Sequence, residues 1–238
     1  MIKAVLLDLD GTVYEGNRLI TGADEAIRIM RNRGLKVIFC TNNSSRPRNR
    51  IAEKIEKMGI PCEKGDVVSS GFIATEYAKS LGTDRLYLCG SDDLRKEFIK
   101  NDIHMCEPED CETLIIGMDT DFDYGKMTMG VRAALHAERI VICNKDRLFP
   151  TESGPKPGSG AIVASILSAV DRKEDTILGK PGTAMMKYIS ETTGFGADEM
   201  VVIGDSPGSD GTMAKAYDST FICVSPEHPL IDAVTRLP

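Results

Sequence analysis

A chain of 238 residues, 42% apolar and 27% charged, can form one large α/β domain or a core with an inserted lobe. Its formal charge of −7 repels nucleic acid and anionic membranes, so neither is an expected partner, and an anionic substrate would need local cations at its site. No apolar run approaches membrane-spanning length, and the N-terminal run ends at Asp8, too soon for a signal peptide.

Ile2–Leu7 is a nearly continuous apolar run, the pattern of a strand covered on both faces. Ala23–Asn32 follows as a helix with Ala26, Ile27 and Met30 on one face and Gly34 as its stop. Leu35–Cys40 is a second strand. Arg48–Met58 is a helix carrying Ile51, Ile55 and Met58, ended by Gly59. Arg46, Arg48 and Arg50 crowd its start and read as a solvated face. Arg85–Cys89, Thr113–Ile116 and Arg139–Cys143 are strands; Tyr124–Ala137, Ala161–Val170 and Thr183–Thr193 are helices; Met200–Ile203 is a late strand. The alternation predicts an α/β fold with right-handed crossovers. From about Gly82 to Thr176, polar breaks at Glu107–Asp110 and Pro150–Gly160 suggest a second lobe.

The seven cysteines are odd in number and contain no C-x-x-C pair, so reduced thiols and a cytoplasmic location are expected. Cys40, Cys89, Cys143 and Cys223 sit in or beside apolar runs and read as small buried hydrophobes. Cys106 and Cys111 read as loop residues.

The polar residues at strand ends carry the chemistry. The first strand runs into Asp8-Leu9-Asp10-Gly11-Thr12, where residues two apart point the same way. The second runs into Thr41-Asn42-Asn43 and the late one into Gly204-Asp205, with Asp210 five residues on. Ser209 is the expected cap of a helix whose first turn holds Asp210. Leu178-Gly179-Lys180-Pro181 places one lysine between an apolar run and a turn. Ligands of open parallel sheets bind beyond the carboxyl ends of the strands, where all these groups fall. Two carboxylates about 4 Å apart repel by roughly 4 kcal/mol at an effective dielectric near 20. Asp8, Asp10, Asp205 and Asp210 together therefore need a cation or shifted pKa values. An all-oxygen set with no histidine spaced with it suits Mg²⁺ better than zinc. Each fragment alone could be an ordinary turn or cap; their joint order is what points to chemistry.

These residues resemble the haloacid dehalogenase-like (HAD) phosphohydrolase superfamily. Asp8–Thr12 is similar to its first motif, Thr41 to its second, Lys180 to its third, and Gly204-Asp205 with Asp210 to its fourth. Thr41–Ser45, Cys143–Asp146, Pro157–Gly160 and Gly179–Pro181 further resemble the branch of NagD-type sugar phosphatases and 4-nitrophenyl phosphatases. The similarity spans about residues 1–225. It implies a Rossmann-like core over residues 1–80 and 178–238 and an inserted α/β cap over 81–177. It implies Asp8 as nucleophile, Asp10 as general acid/base, and Thr41 and Lys180 as phosphoryl ligands. Mg²⁺ would be held by Asp8, the Asp10 carbonyl and Asp205, with Asp210 in support. Asn42, Asn144 and Asp146 are further candidates for the substrate and phosphate side, and Tyr124 and the Gly154–Gly160 loop with Lys156 are cap features that could face it.

The sequence departs from the family pattern at Gly211-Thr212 and Tyr217-Asp218, which leaves the placement of Asp210 open. It ends soon after Val224, so a shortened sheet edge is expected. The expected activity is hydrolysis of a small phosphomonoester by a monomer or homodimer, with the cap closing over the core. A phosphotransferase or mutase, or a non-catalytic phosphometabolite-binding module, is the alternative.

Overall fold

The computed structural model describes residues 1–149, 151 and 154–237. Strands that are apolar on both faces need cover on both sides, and the chain supplies it with two parallel sheets and flanking helices. In chain order the strands of these two sheets are β1 (Ala4–Leu7), β2 (Lys36–Thr41), β3 (Val67–Ser69), β4 (Leu86–Cys89), β5 (Thr113–Ile116), β6 (Arg139–Ile142), β7 (Thr176–Ile177), β8 (Met200–Gly204) and β9 (Thr220–Cys223), and two short hairpins pair Tyr14–Glu15 with Arg18–Leu19 and Leu148–Phe149 with Lys156–Pro157. The larger sheet has the order β9-β8-β1-β2-β3, the smaller β7-β6-β5-β4. Every pairing within these two sheets is parallel.

The main helices are α1 (Ala23–Asn32), α2 (Arg48–Lys57), α3 (Ser70–Leu81), α4 (Asp92–Lys100), α5 (Tyr124–His136), α6 (Ser159–Leu167), α7 (Ala184–Thr193), α8 (Thr212–Ala216) and α9 (Leu230–Ala233). Val5, Leu7 and Phe39 face one way from the larger sheet and pack with Ile27 and Met30 of α1 and Ile51 and Ile55 of α2. On its other face Leu6, Ile38 and Val202 join Ala74 of α3, Met185 of α7, and Leu88, Phe98, Ile115 and Val141 from the smaller sheet and its helix. The two sheets thus share one apolar core. The outer face of the smaller sheet is covered by α5 and α6.

Register sets the site. Leu7 lies level with both Ile203 and Phe39, so Asp8 leaves the sheet beside the ends of β8 and β2. In the smaller sheet Ile116 pairs with Ile142, and Ile142 with Ile177, so Met118, Asn144 and Lys180 leave from one edge.

The cysteines are free. Cys40, Cys89 and Cys143 are buried, as expected, but Cys223 is exposed because it points outward from the edge strand β9. Among the described residues no helix is long and apolar enough to cross a membrane.

Candidate active site

β1 ends in a tight turn in which Leu9 O accepts the Val13 and Tyr14 N–H groups at 2.9 and 3.1 Å. Gly11 stands in that turn at φ +85°, and a β-carbon there would lie 2.3 Å from Asp205 Oδ2. Glycine is therefore required both for the backbone conformation and for the contact between the β1 and β8 loops.

Asp210 reaches the same point by a route the sequence did not suggest. Ser209 caps no helix: Pro207–Gly211 form a wide turn in which Ser206 O accepts the Asp210 N–H at 2.8 Å, and α8 begins only at Thr212. Pro207, with no N–H of its own, starts the turn. The turn points Asp210 inward, where it is 1% exposed. Gly211 is explained by the Phe221 ring, which would lie 3.0 Å from a β-carbon at that position.

Carboxylate oxygens of Asp8, Asp205 and Asp210 all lie within 4.8 Å of one another. Lys180, 2% exposed, donates from Nζ to Asp8 Oδ1 at 2.5 Å, Asp210 Oδ1 at 2.8 Å and the Cys40 carbonyl at 3.2 Å. The other Asp210 oxygen is buried with no partner among the described residues. The Asp10 carboxyl stands outside this trio. Asp8, Asp10, Thr41, Asn144, Asp146, Lys180 and Asp210 all line one cavity of about 1000 Å³.

Burial opposes the Lys180 charge, but Asp8 and Asp210 more than offset it and its pKa is raised. Burial is also the largest influence on Asp8 and pushes its carboxyl up; Lys180 pulls it down and Asp210 adds to the rise. The 2.5 Å contact favours the ionised pair. Burial likewise raises Asp10, against Lys54, Lys180 and Arg46, and raises Asp205, with Asp210 adding to it.

Asn42 and Asn144, expected on the phosphate side, line the cavity and also bond to the segments around it. Asn42 Nδ2 donates to both Asp146 oxygens, at 3.1 and 3.0 Å, and to the Lys180 carbonyl at 2.9 Å, while its Oδ1 accepts the Lys180 N–H at 2.8 Å. Asn144 donates to the Asn42 carbonyl at 2.7 Å and accepts the Asp146 N–H at 3.0 Å. These bonds fix the Lys180 backbone and Asp146. Burial raises the Asp146 carboxyl, and the Asn42 hydrogen bonds hold it down in part. Thr41 is buried beside the cavity, its Oγ1 accepting the Asn43 N–H at 3.2 Å.

Two family profiles match the chain: haloacid dehalogenase-like hydrolase over residues 5–104 and HAD-hydrolase-like over 177–227. Sugar-phosphatase AraL of Bacillus subtilis (strain 168) is 32% identical over 218 residues, covering 90% of this chain and 79% of that protein. The chain belongs to the haloacid dehalogenase-like hydrolases. The 4-nitrophenylphosphatase structure from Thermotoga maritima superposes on this HAD hydrolase with a TM-score of 0.90 at 27% identity, covering 98% of this chain and 97% of that one. A solved chain described as a nagD protein gives 0.87 at 29%, covering 94% and 88%. The protein is a HAD-like phosphatase, a phosphoric monoester hydrolase, of the NagD-type branch.

Around the HAD carboxylates the arginines diverge from the expected solvated face. Arg50 does pair with Glu53 at 3.0 Å in solvent. Arg48 instead lies 3.4 Å over the Phe72 ring, and Arg46 lines the cavity. Lys54, whose Nζ is 3.6 Å over the Tyr14 ring, also lines it. It carries no motif, and only its place one helical turn after Arg50 could have drawn attention to it. Tyr124 is 79% exposed at the start of α5 and does not line the cavity.

Proposed function

We propose that this HAD phosphatase hydrolyses small phosphomonoesters with Mg²⁺ through an aspartyl-phosphate on Asp8. The observation that carries the reading is the buried ammonium of Lys180, 2.5 Å from Asp8, beside three converging carboxylates. In the first step a carboxylate oxygen of Asp8 attacks phosphorus, the bond from phosphorus to the ester oxygen breaks, and Asp10 protonates the departing alkoxide. In the second step water attacks phosphorus, Asp10 takes its proton, and the bond to Asp8 breaks. Lys180 and Thr41 hold the phosphoryl oxygens in both steps. The raised pKa of Asp10 suits a group that must first give and then take a proton.

The donor set fits Mg²⁺. It is made of oxygens only, and Asp210 keeps one buried oxygen without a partner among the described residues. Asp8, Asp205, Asp210 and the Asp10 carbonyl would hold the ion, which when bound supplies charge neutralisation between the carboxylates and the phosphoryl oxygens. Residues 1–80 and 178–238 act as the catalytic core, and 81–177 as the cap that selects the alcohol. A sugar phosphate or similar metabolite suits a cavity of about 1000 Å³. The name of the sugar-phosphatase relative agrees with this. The reduced cysteine set fits action in the cytoplasm.

The test is phosphate release from p-nitrophenyl phosphate and a panel of sugar phosphates, with and without Mg²⁺. Asp8→Asn should lower kcat by about 10⁴-fold or more while the fold persists. Turnover by that variant at the parent rate would remove the covalent mechanism.

A further inference from the structure

The cavity holds a second polar feature that the phosphoryl chemistry does not use. Ser159, the first residue of α6, is 2% exposed and lines the cavity, and its Oγ has no partner among the described residues. A buried hydroxyl left unpaired is costly, so Ser159 Oγ suits a polar partner arriving in the cavity. α6 has nine residues, no side-chain cap and no acidic residue in its first turn. No acidic side chain of its own helix meets the positive end of its dipole, although the Gly160 and Ala161 N–H groups are taken by the Asp146 and Gly158 carbonyls. Arg147 and Lys156 line the same cavity and, among described residues, have no ion-pair partner, whereas Lys145 beside them is engaged by Glu174.

Charge is zoned along the carboxyl edge of the smaller sheet. Asp92 and Asp93 follow β4, Asp119 and Asp121 follow β5, and Arg147 follows β6, so the acids gather toward one end of the order β7-β6-β5-β4 and the cations toward the other. Among the described residues, Asp146 is an acid at the cationic end, and both of its oxygens are turned to Asn42. Asp119 is paired with Lys126 at 2.6 Å.

We infer that the first turn of α6, with the Ser159 hydroxyl inside and Arg147 and Lys156 beside it, is a second anion subsite in the cavity. It selects phosphomonoesters whose alcohol carries a carboxylate or a second phosphoryl group over those with a neutral alcohol. The inference rests on the phosphatase reading above. The two anion positions are mechanically joined. The Gly160 N–H donates to the Asp146 carbonyl at 2.9 Å, Asp146 is held by Asn42, and Asn42 Oδ1 accepts the Lys180 N–H at 2.8 Å. Lys180 Nζ then meets Asp8.

The experiment measures kcat/KM of the full chain with Mg²⁺ on two matched pairs: 3-phosphoglycerate against glycerol 3-phosphate, and fructose 1,6-bisphosphate against fructose 6-phosphate. A charge-assisted contact predicts a preference of about tenfold or more for the doubly anionic member of at least one pair. The pair that responds tells a carboxylate from a phosphoryl group. Ser159→Ala and the exposed change Lys156→Gln should each shrink that ratio by about threefold or more, through KM. A ratio near one in both pairs, or a ratio untouched by both substitutions, overturns the subsite while hydrolysis of p-nitrophenyl phosphate keeps the phosphatase reading. No release from any ester overturns both.

Discussion

Replacing Lys180 with methionine keeps the length of the side chain and removes one buried charge. The structure then leaves Asp8 and Asp210 without the ammonium that contacts them at 2.5 and 2.8 Å. With their oxygens up to 4.8 Å apart, repulsion within the trio Asp8, Asp205 and Asp210 is about 3.5 kcal/mol per pair at an effective dielectric near 20. Protonation of one carboxyl relieves part of this. The expected loss is therefore near the range for breaking a buried ion pair, about 3–5 kcal/mol. For a chain of 238 residues that lowers Tm by about 6–20 °C. Thermal melts at neutral pH, with and without millimolar Mg²⁺, read it out. The cation should recover more of the Tm in the variant than in the parent, because it opposes the same repulsion, while phosphate release stays abolished. A metal-free variant melting within about 2 °C of the parent would refute the reasoning, since the ammonium would then not be what holds the carboxylates together.

Gly11→Ala should cost about 1–3 kcal/mol from its φ of +85° alone and push Asp205 away, so the Mg²⁺ concentration for half-maximal activity should rise; an unchanged Mg²⁺ requirement would count against Asp205 as a ligand. Asp146 has a raised folded pKa, so its contribution to stability is fully present below its ordinary value of 3.8 and is lost as pH rises through the folded value. Asp146→Asn removes that dependence, and urea midpoints from pH 4 upward should shift in favour of the variant as pH increases. A shift the other way would show that the Asn42 hydrogen bonds, not burial, govern this carboxyl.

The gathering of polar groups beyond the strand ends was legible because covered parallel strands are continuous apolar runs, and Asp8, Thr41, Lys180 and Asp205 each stand just past one. The α/β class followed from the same runs. Other features had no local signature. β3 is only three residues long and β9 is a half-exposed edge, so neither gave a clear run. α3 buries Ser70, Gly71, Ile73, Ala74, Thr75 and Ala78, which blurs the one-sided pattern of a surface helix. The work of Asn42 lies in bonds to residues 104 and 138 positions away, and no spacing rule reaches that far. Ser209 looked like a cap because serine often is one, but Pro207 two residues earlier redirects the chain.

The apolar mass common to both sheets bears on how a guest gets in and out. Phe98 and Leu88 of the inserted segment belong to the same buried apolar cluster as Leu6 and Ile38 of the larger sheet. Swinging the two halves apart would wet that seam, at about 25 cal/mol for each Å² exposed. At the rim of the cavity, Leu148-Phe149 pairs with Lys156-Pro157. The seam also ties the inserted segment to the rest during unfolding, so the chain should lose both halves in one step.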